Sequence, residues 1–201
     1  MYKSVLFDMD GVLVNSFEAW LSLMNATAQY FGYPPVRRER FMELYGQPTR
    51  LDIQEFFPGE SVADIEDYYQ EHFGSYDYQV VAGEGAFDVI RELVTIGATT
   101  AVVTNTPSGM AREILANLSL RTDVVIGGDD VENAKPYPDM LFKACKDLGI
   151  KPNEALMIGD SIFERDAAEA AEIDFVGLRM EYPGAILHLN DLVKIVKRGN
   201  S

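Results

Sequence analysis

The sequence predicts an α/β fold, a doubly wound parallel sheet with a helical domain inserted after its first strand. Three observations carry this. From Gly97 onward, short β-branched or apolar runs alternate with amphipathic helical stretches, the pattern of successive β-α units on a parallel sheet. Residues 16–81 break that rhythm with helical segments punctuated by Pro34-Pro35, Pro48 and Pro58-Gly59, and show no convincing strand. The one strand ahead of the break, Lys3 to Phe7, ends in the polar turn Asp8-Met9-Asp10-Gly11. The boundaries drawn are 1–15 and 82–201 for the α/β core, and 16–81 for an inserted helical cap.

The elements follow in order. Phe17 to Tyr30 reads as a helix, followed by shorter ones near Arg38–Tyr45, Arg50–Phe56 and Val62–Phe73, with Val80 to Gly85 as the return linker. Thr99 to Thr104 is a β-branched strand. Thr106-Pro107 then supplies an N-cap and first residue for a helix through about Asn117. Asp123 to Ile126 is a strand, and Met140 to Leu148 a helix with Leu141, Ala144, Cys145 and Leu148 at helical spacing, stopped by Gly149. Ala155 to Ile158 is a strand ending at Gly159-Asp160, and Phe163 to Ala171 an alanine-rich helix. Asp174 to Leu178 and Leu189 to Val196 complete the pattern.

With 47% apolar residues in 201, the chain can bury a substantial core, and its formal charge of −15 argues against nucleic acid or an anionic membrane as partner. The same charge repels phosphorylated ligands at long range, so an anion site must be built locally. The single cysteine, Cys145, excludes an internal disulfide and a multi-cysteine metal site. No apolar run approaches roughly 18 residues, and the first strand follows Met1 at once, so a soluble cytoplasmic protein is expected. The stretch from Glu60 to Asp77, which lacks Lys and Arg, reads as a solvated helix face.

Asp8 and Asp10 stand at i and i+2 of an extended segment, so their side chains share a face, and Gly11 permits a sharp turn beside them. Two like charges held that close require a cation between them or a retained proton. The pair therefore reads as a metal site, as a nucleophile with an acid, or as both. Three further polar clusters fall at the carboxyl ends of predicted strands: Thr104-Asn105, the loop before Lys135, and Asp160. Ligands of open parallel sheets bind along that edge. Each cluster alone is explained as a helix cap, a surface lysine or a turn; four at one edge are not. No lysine lies between Lys3 and Lys135, so a core-site lysine comes from the later half, where Lys135 is the first available.

Asp8-Met9-Asp10-Gly11-Val12-Leu13, Val103-Thr104-Asn105, Lys135-Pro136-Tyr137-Pro138-Asp139 and Ile158-Gly159-Asp160-Ser161 together resemble the four motifs of the haloacid dehalogenase superfamily. The likeness is greatest to its phosphoglycolate phosphatase and β-phosphoglucomutase branch with a helical C1-type cap, and weakest in the cap and in residues 177–201. The resemblance implies a Rossmann-like core and a phosphatase acting on a small phosphorylated metabolite as a monomer or homodimer. It makes Asp8 the nucleophile that carries an aspartyl-phosphate, and Asp10 the acid and base. It places Mg²⁺ between Asp8, the Asp10 backbone carbonyl and Asp160. The Thr104 hydroxyl, the Asn105 backbone N–H and the Lys135 ammonium would hold the phosphoryl group.

The chain departs from the family pattern in places. Glu164, with Asp166 two residues on, stands where the fourth motif usually has a second Asp; its longer carboxylate would reach the metal's water shell. Glu172 replaces a frequent glycine, and Ala82-Gly83-Glu84-Gly85 replaces the usual Pro-Gly at the cap return. Mutases of the branch carry a cap histidine twelve residues after the nucleophile. Here Trp20, read as a packing residue, holds that position and His72 is the only cap histidine, which ranks a sugar-phosphate mutase below hydrolysis. Arg50 is the cap candidate for the substrate's non-reacting end, ahead of Arg37, Arg38 and Arg40, with a surface arginine opening a helix as the equal alternative. The cap has no lysine for phosphonatase chemistry. A receiver-like signalling module, or a silent binding relative, is the reading from another class; the insertion after Asp10, the Gly159-Asp160 motif and the complete carboxylate set argue against both.

Overall fold

The computed structural model describes residues 2–199. Its elements in chain order are β1 (Ser4–Phe7), β2 (Val14–Asn15), α1 (Phe17–Phe31), α2 (Arg38–Leu44), α3 (Thr49–Phe56), α4 (Val62–His72), β3 (Val81–Ala82), α5 (Ala86–Thr95), β4 (Thr99–Val103), α6 (Ser108–Asn117), β5 (Val124–Ile126), α7 (Asp139–Leu148), β6 (Ala155–Gly159), α8 (Ile162–Ala170), β7 (Asp174–Gly177) and α9 (Leu192–Gly199). They fall into two compact units, one of residues 16–81 and one of the residues to Asn15 together with those from Ala82 on.

Five strands of the second of these units form one parallel sheet in the order β5-β4-β1-β6-β7. The chain runs outward from β1 through β4 to β5, then crosses back to β6 on the other side of β1. Because such crossovers are right-handed, reversing the direction puts the later helices on the opposite face. The packing follows: Leu6, Ala101, Val103 and Met157 meet Met140, Leu141, Ala144 and Cys145 of α7 and Ala167 and Ala168 of α8. Alpha5 lies outside that cluster, buries Ala86, Val89, Ile90 and Leu93, and packs on β4 and α9. A strand covered on both faces has no solvent side, and all four residues of β1 are buried.

Phe7 is in register with Val102 of β4 and Ile158 of β6. The residues following β1, β4 and β6 therefore emerge at one edge, at the point where the strand order reverses. That is where open α/β sheets bind ligands.

Helix boundaries differ from the sequence expectation by a residue or two, and one difference matters. Alpha6 starts at Ser108, with Pro107 rather than Thr106 at its N-cap position. The expected last helix from Leu189 opens as a 3₁₀ turn over Leu189–Asp191 before α9. Gly149 ends α7 in the left-handed conformation at φ 69°.

The unit of residues 16–81 is organised by α1, which buries Ala19, Leu23, Met24, Thr27 and Ala28. Trp20 lies against Tyr69 and Phe73, at centroid distances of 5.7 and 5.1 Å. Phe17 meets Phe41 of α2 at 5.3 Å. Gln47 Nε2 donates to the half-buried Asp52 carboxylate at 2.7 Å, closing the turn into α3.

Burial pushes Asp52 up to about 7, against a smaller opposing pull from the Gln47 hydrogen bond. Between its ordinary value and 7 the native state holds a proton that the unfolded chain has lost. Stability from this group is thus full at low pH and falls as pH rises through that window. Asp52→Asn is expected to raise the melting temperature relative to the unsubstituted chain increasingly from pH 5 to pH 8. A difference that stays constant or shrinks across the series would show that Asp52 does not titrate there.

Candidate active site

Asp8 leaves the end of β1 as the sheet edge opens, its N–H bonded to the Ile158 carbonyl at 2.9 Å. Its carboxylate Oδ1 accepts from Lys135 Nζ at 2.5 Å, and the same ammonium donates to Glu164 Oε1 at 2.7 Å. All three groups are buried, with Lys135 and Glu164 each 1% exposed. Burial is the largest effect on Lys135 and would lower it, but the Asp8 and Glu164 carboxylates outweigh that and hold the ammonium above the ordinary lysine range. Asp8 is pushed well above the carboxylate range, first by burial and then by Glu164, Asp160 and Asp10, with Lys135 opposing. One ammonium does not balance this many carboxylates.

Glu164 is placed by its helix end. Ser161 caps α8, its hydroxyl accepting from the Phe163 N–H at 3.2 Å while its own N–H donates to Glu164 Oε2 at 3.1 Å. Both Glu164 oxygens are therefore committed, one to the cap and one to Lys135. The β6 residue Gly159 is what admits this side chain, since a Cβ there would lie 2.3 Å from Glu164 Cγ. Asp166, the alternative carboxylate, instead pairs with Arg165 at 2.6 Å.

Asp10 turns its carboxylate to the loop after β4. Oδ2 accepts from Thr106 Oγ1 at 2.9 Å and from Thr104 Oγ1 at 3.3 Å. Thr106 thus donates to Asp10, and with α6 starting at Ser108 it stands one residue ahead of the N-cap position. The cap comes from elsewhere: Ser108 N–H donates to Asp129 Oδ1 at 2.6 Å. Asn105 Nδ2 donates to the Lys135 carbonyl at 3.2 Å, tying this loop to the loop that carries the lysine.

Asp160 packs against the turn at Gly11. At φ +88° Gly11 is in the left-handed region, and a Cβ there would lie 2.1 Å from Asp160 Oδ2. Burial, then Glu164, push Asp160 up to about 7, while Lys135 and Arg179 pull the other way. Carboxylate oxygens of Asp8, Asp160 and Glu164 lie within 4.8 Å of one another. An oxygen-only donor set with excess negative charge and no thiol or imidazole suits a hard divalent cation such as Mg²⁺.

The cap candidates are placed differently. Arg38 is paired with Glu18 at 2.5 Å, and Arg40 with Glu43 and Glu55 at 2.9 and 2.7 Å, so both are surface ion pairs. Arg50 is exposed in the first turn of α3, and Arg37 is exposed before α2. His72 stacks on Tyr68 with centroids 3.9 Å apart.

Three participants went unread in the sequence. In sequence, Thr106 reads only as a helix cap. The Lys135–Glu164 pair was foreshadowed only by Ser161-Ile162-Phe163-Glu164, a capping-box pattern that fixes where Glu164 points. Arg179 Nη2 donates to the Gly11 carbonyl at 2.5 Å across 168 positions of sequence, and no local signal announces it.

A family model described as haloacid dehalogenase-like hydrolase matches residues 5–178. The chain is 30% identical over 188 residues to the N-acetylmuramic acid 6-phosphate phosphatase of Pseudomonas aeruginosa, covering 90% of this chain and 83% of that protein. It is 30% identical over 175 residues to a phosphoglycolate phosphatase of Xylella fastidiosa, covering 84% and 76%. Among solved structures, a HAD-superfamily hydrolase of subfamily IA from Geobacter sulfurreducens superposes with a TM-score of 0.81 at 27% identity, over 97% of this chain and 100% of that one.

The Gly11 contact makes a sharp prediction. Gly11→Ala adds a left-handed alanine and a clash with Asp160 Oδ2, and is expected to cost about 2 kcal/mol or more in urea unfolding. Asp160→Ala removes the clash but not the backbone strain, so the double variant should recover part of the loss. Strict additivity of the two single effects would show that no such contact exists.

Proposed function

The chain belongs to the haloacid dehalogenase-like hydrolase family, and we propose that it is a Mg²⁺-dependent phosphatase that hydrolyses a small phosphate monoester through a phosphorylated Asp8. The observation that carries this is the Asp8 carboxylate fixed by Lys135 at the switch-point edge, beside an Asp10 that faces a separate set of donors.

The chemistry divides between the two aspartates. An Asp8 oxygen attacks phosphorus, the bond from phosphorus to the ester oxygen breaks, and Asp10 gives its proton to the departing alkoxide. Asp10, now a carboxylate, takes a proton from water; that water attacks phosphorus, the bond to Asp8 breaks, and inorganic phosphate leaves. The Thr104 and Thr106 hydroxyls aim Asp10 during both steps. Lys135 sets the orientation of Asp8 and offers its charge to the phosphoryl oxygens. Asp8, the Asp10 backbone carbonyl and Asp160 would hold Mg²⁺, which supplies neutralisation of the carboxylates and of the transferring group. Glu164, with both oxygens taken, acts on the metal only through Lys135 and water.

Hydrolysis rather than mutase chemistry is supported by Trp20, which packs on Tyr69 and Phe73 and holds the sequence position where mutases of the branch have a relay histidine. The names of the relatives favour a phosphorylated sugar or hydroxy acid as substrate.

Asp8→Asn is expected to lower kcat on an aryl phosphate by roughly 10³-fold or more, since loss of a nucleophile removes a whole pathway. Retained turnover would refute the nucleophile assignment. Chelation should abolish the activity and added Mg²⁺ restore it; turnover in excess chelator would refute the metal role. A panel of phosphorylated metabolites, scored by phosphate release with Mg²⁺ present, identifies the substrate and separates hydrolysis from phosphate retention.

A further inference from the structure

Among the described residues, three that are not glycine have a left-handed backbone: Ser119 at φ 58°, Glu172 at φ 54° and Arg179 at φ 53°. The first two follow directly on α6 and α8. There, Leu120 N–H reaches the Leu115 carbonyl and Ile173 N–H the Ala168 carbonyl, each at 2.9 Å, so helix termination accounts for both. Arg179 ends no helix. It follows β7, and its backbone is pinned on both sides. Leu178 N–H donates to the Gly159 carbonyl, Arg179 N–H to Ile186, and Ile186 N–H back to Gly177, each at 2.8 Å. A long, branched-tip side chain held in a costly backbone conformation points to something that its position accomplishes.

What it accomplishes is the bond to the Gly11 carbonyl. Gly11 directly follows Asp10, whose backbone carbonyl is the proposed metal ligand, and glycine is the joint of the chain with the most freedom to rotate. On one side Gly11 abuts the Asp160 carboxylate, and at its own carbonyl it receives the guanidinium. The Asp10–Gly11 peptide donates its N–H to the Val14 carbonyl at 2.8 Å, and the guanidinium takes the carbonyl of the next peptide, Gly11–Val12, so the turn is held on both sides of its freest joint.

We infer that Arg179 is a positioning residue for the metal: by holding the Gly11 carbonyl it braces the turn that carries the Asp10 carbonyl and abuts Asp160. This rests on the metal reading proposed above. The guanidinium is also a positive charge close to a cation site, which would by itself weaken binding. Arg179 is exposed, so water and salt weaken that repulsion, and on this inference the restraint on the turn outweighs what remains of it.

The experiment is calorimetric titration of Mg²⁺ into the unsubstituted protein, Arg179→Gln and Arg179→Gly, with melting temperatures of all three. Both variants should bind Mg²⁺ about 10-fold or more weakly, the effect of losing a group that orients a metal ligand. Arg179→Gly should melt no lower than the unsubstituted chain, because glycine relieves the backbone strain. Weaker metal binding without lost stability is what a merely structural arginine would not produce. Equal or tighter Mg²⁺ binding by the variants overturns the inference. Failure of the unsubstituted protein to bind Mg²⁺ overturns the metal reading, and this inference with it.

Discussion

Lys135 is a lysine with almost no exposure, and the architecture of the site follows from what it takes to keep it there. Removing an ammonium from water costs several kcal/mol unless carboxylates meet it with good geometry. Here two do, Asp8 from the end of β1 and Glu164 from the first turn of α8. The triad joins three segments distant in sequence, so removing one partner would strand a buried charge at a cost of about 3–5 kcal/mol. Its geometry also dictates residues around it. Gly159 has no Cβ because Glu164 needs the space, and Gly11 has none because Asp160 does. The Gly-Asp sequence at the end of β6 is thus a steric consequence of a charge cluster.

The cluster also explains why the two aspartates of the first turn are not equivalent. Asp8 points to the lysine and the other carboxylates; Asp10 points to two threonine hydroxyls. One environment is rich in negative charge and asks for a cation. The other presents two threonine hydroxyls that orient the carboxylate. Two identical side chains two residues apart are given different roles by what their neighbours bring.

How much of this was legible in the sequence depended on the range of the signal. The strands and their order as β-α units could be read because periodicity and turn residues are local, and the polar residues closing β1, β4 and β6 could be read because the ends of strands are. The direction of a side chain is less local. Thr106-Pro107 has the pattern of a helix start, yet α6 begins one residue later than that pattern implies, the Thr106 hydroxyl is turned to Asp10 beyond another strand, and Asp129 supplies the cap from the loop after β5. Glu164 reads in sequence as a longer carboxylate reaching the metal's water shell; the capping box in which it sits turns one oxygen to the backbone and leaves the other for Lys135. Arg179 depends on a sheet register and a loop closure that no window of sequence contains.

The position of Asp129 bears on how an acidic protein holds an anion. A helix N-terminus near a phosphate site is usually credited with attracting the phosphate. In this chain the first amide of α6 is already given to an internal carboxylate, so one of its N-terminal donors is committed. With a formal charge of −15 the long-range field is also unfavourable, although at physiological salt it decays within about 8 Å. The attraction, then, is not supplied by the surface, and the helix end has one donor fewer to give. It has to come from the few groups inside that radius: the Lys135 ammonium, loop amides upstream of α6, and a divalent ion among the carboxylates. On the function proposed above, an acidic cluster of this kind would repel its substrate until a cation joined it, and metal binding would be a condition of substrate binding as well as of chemistry.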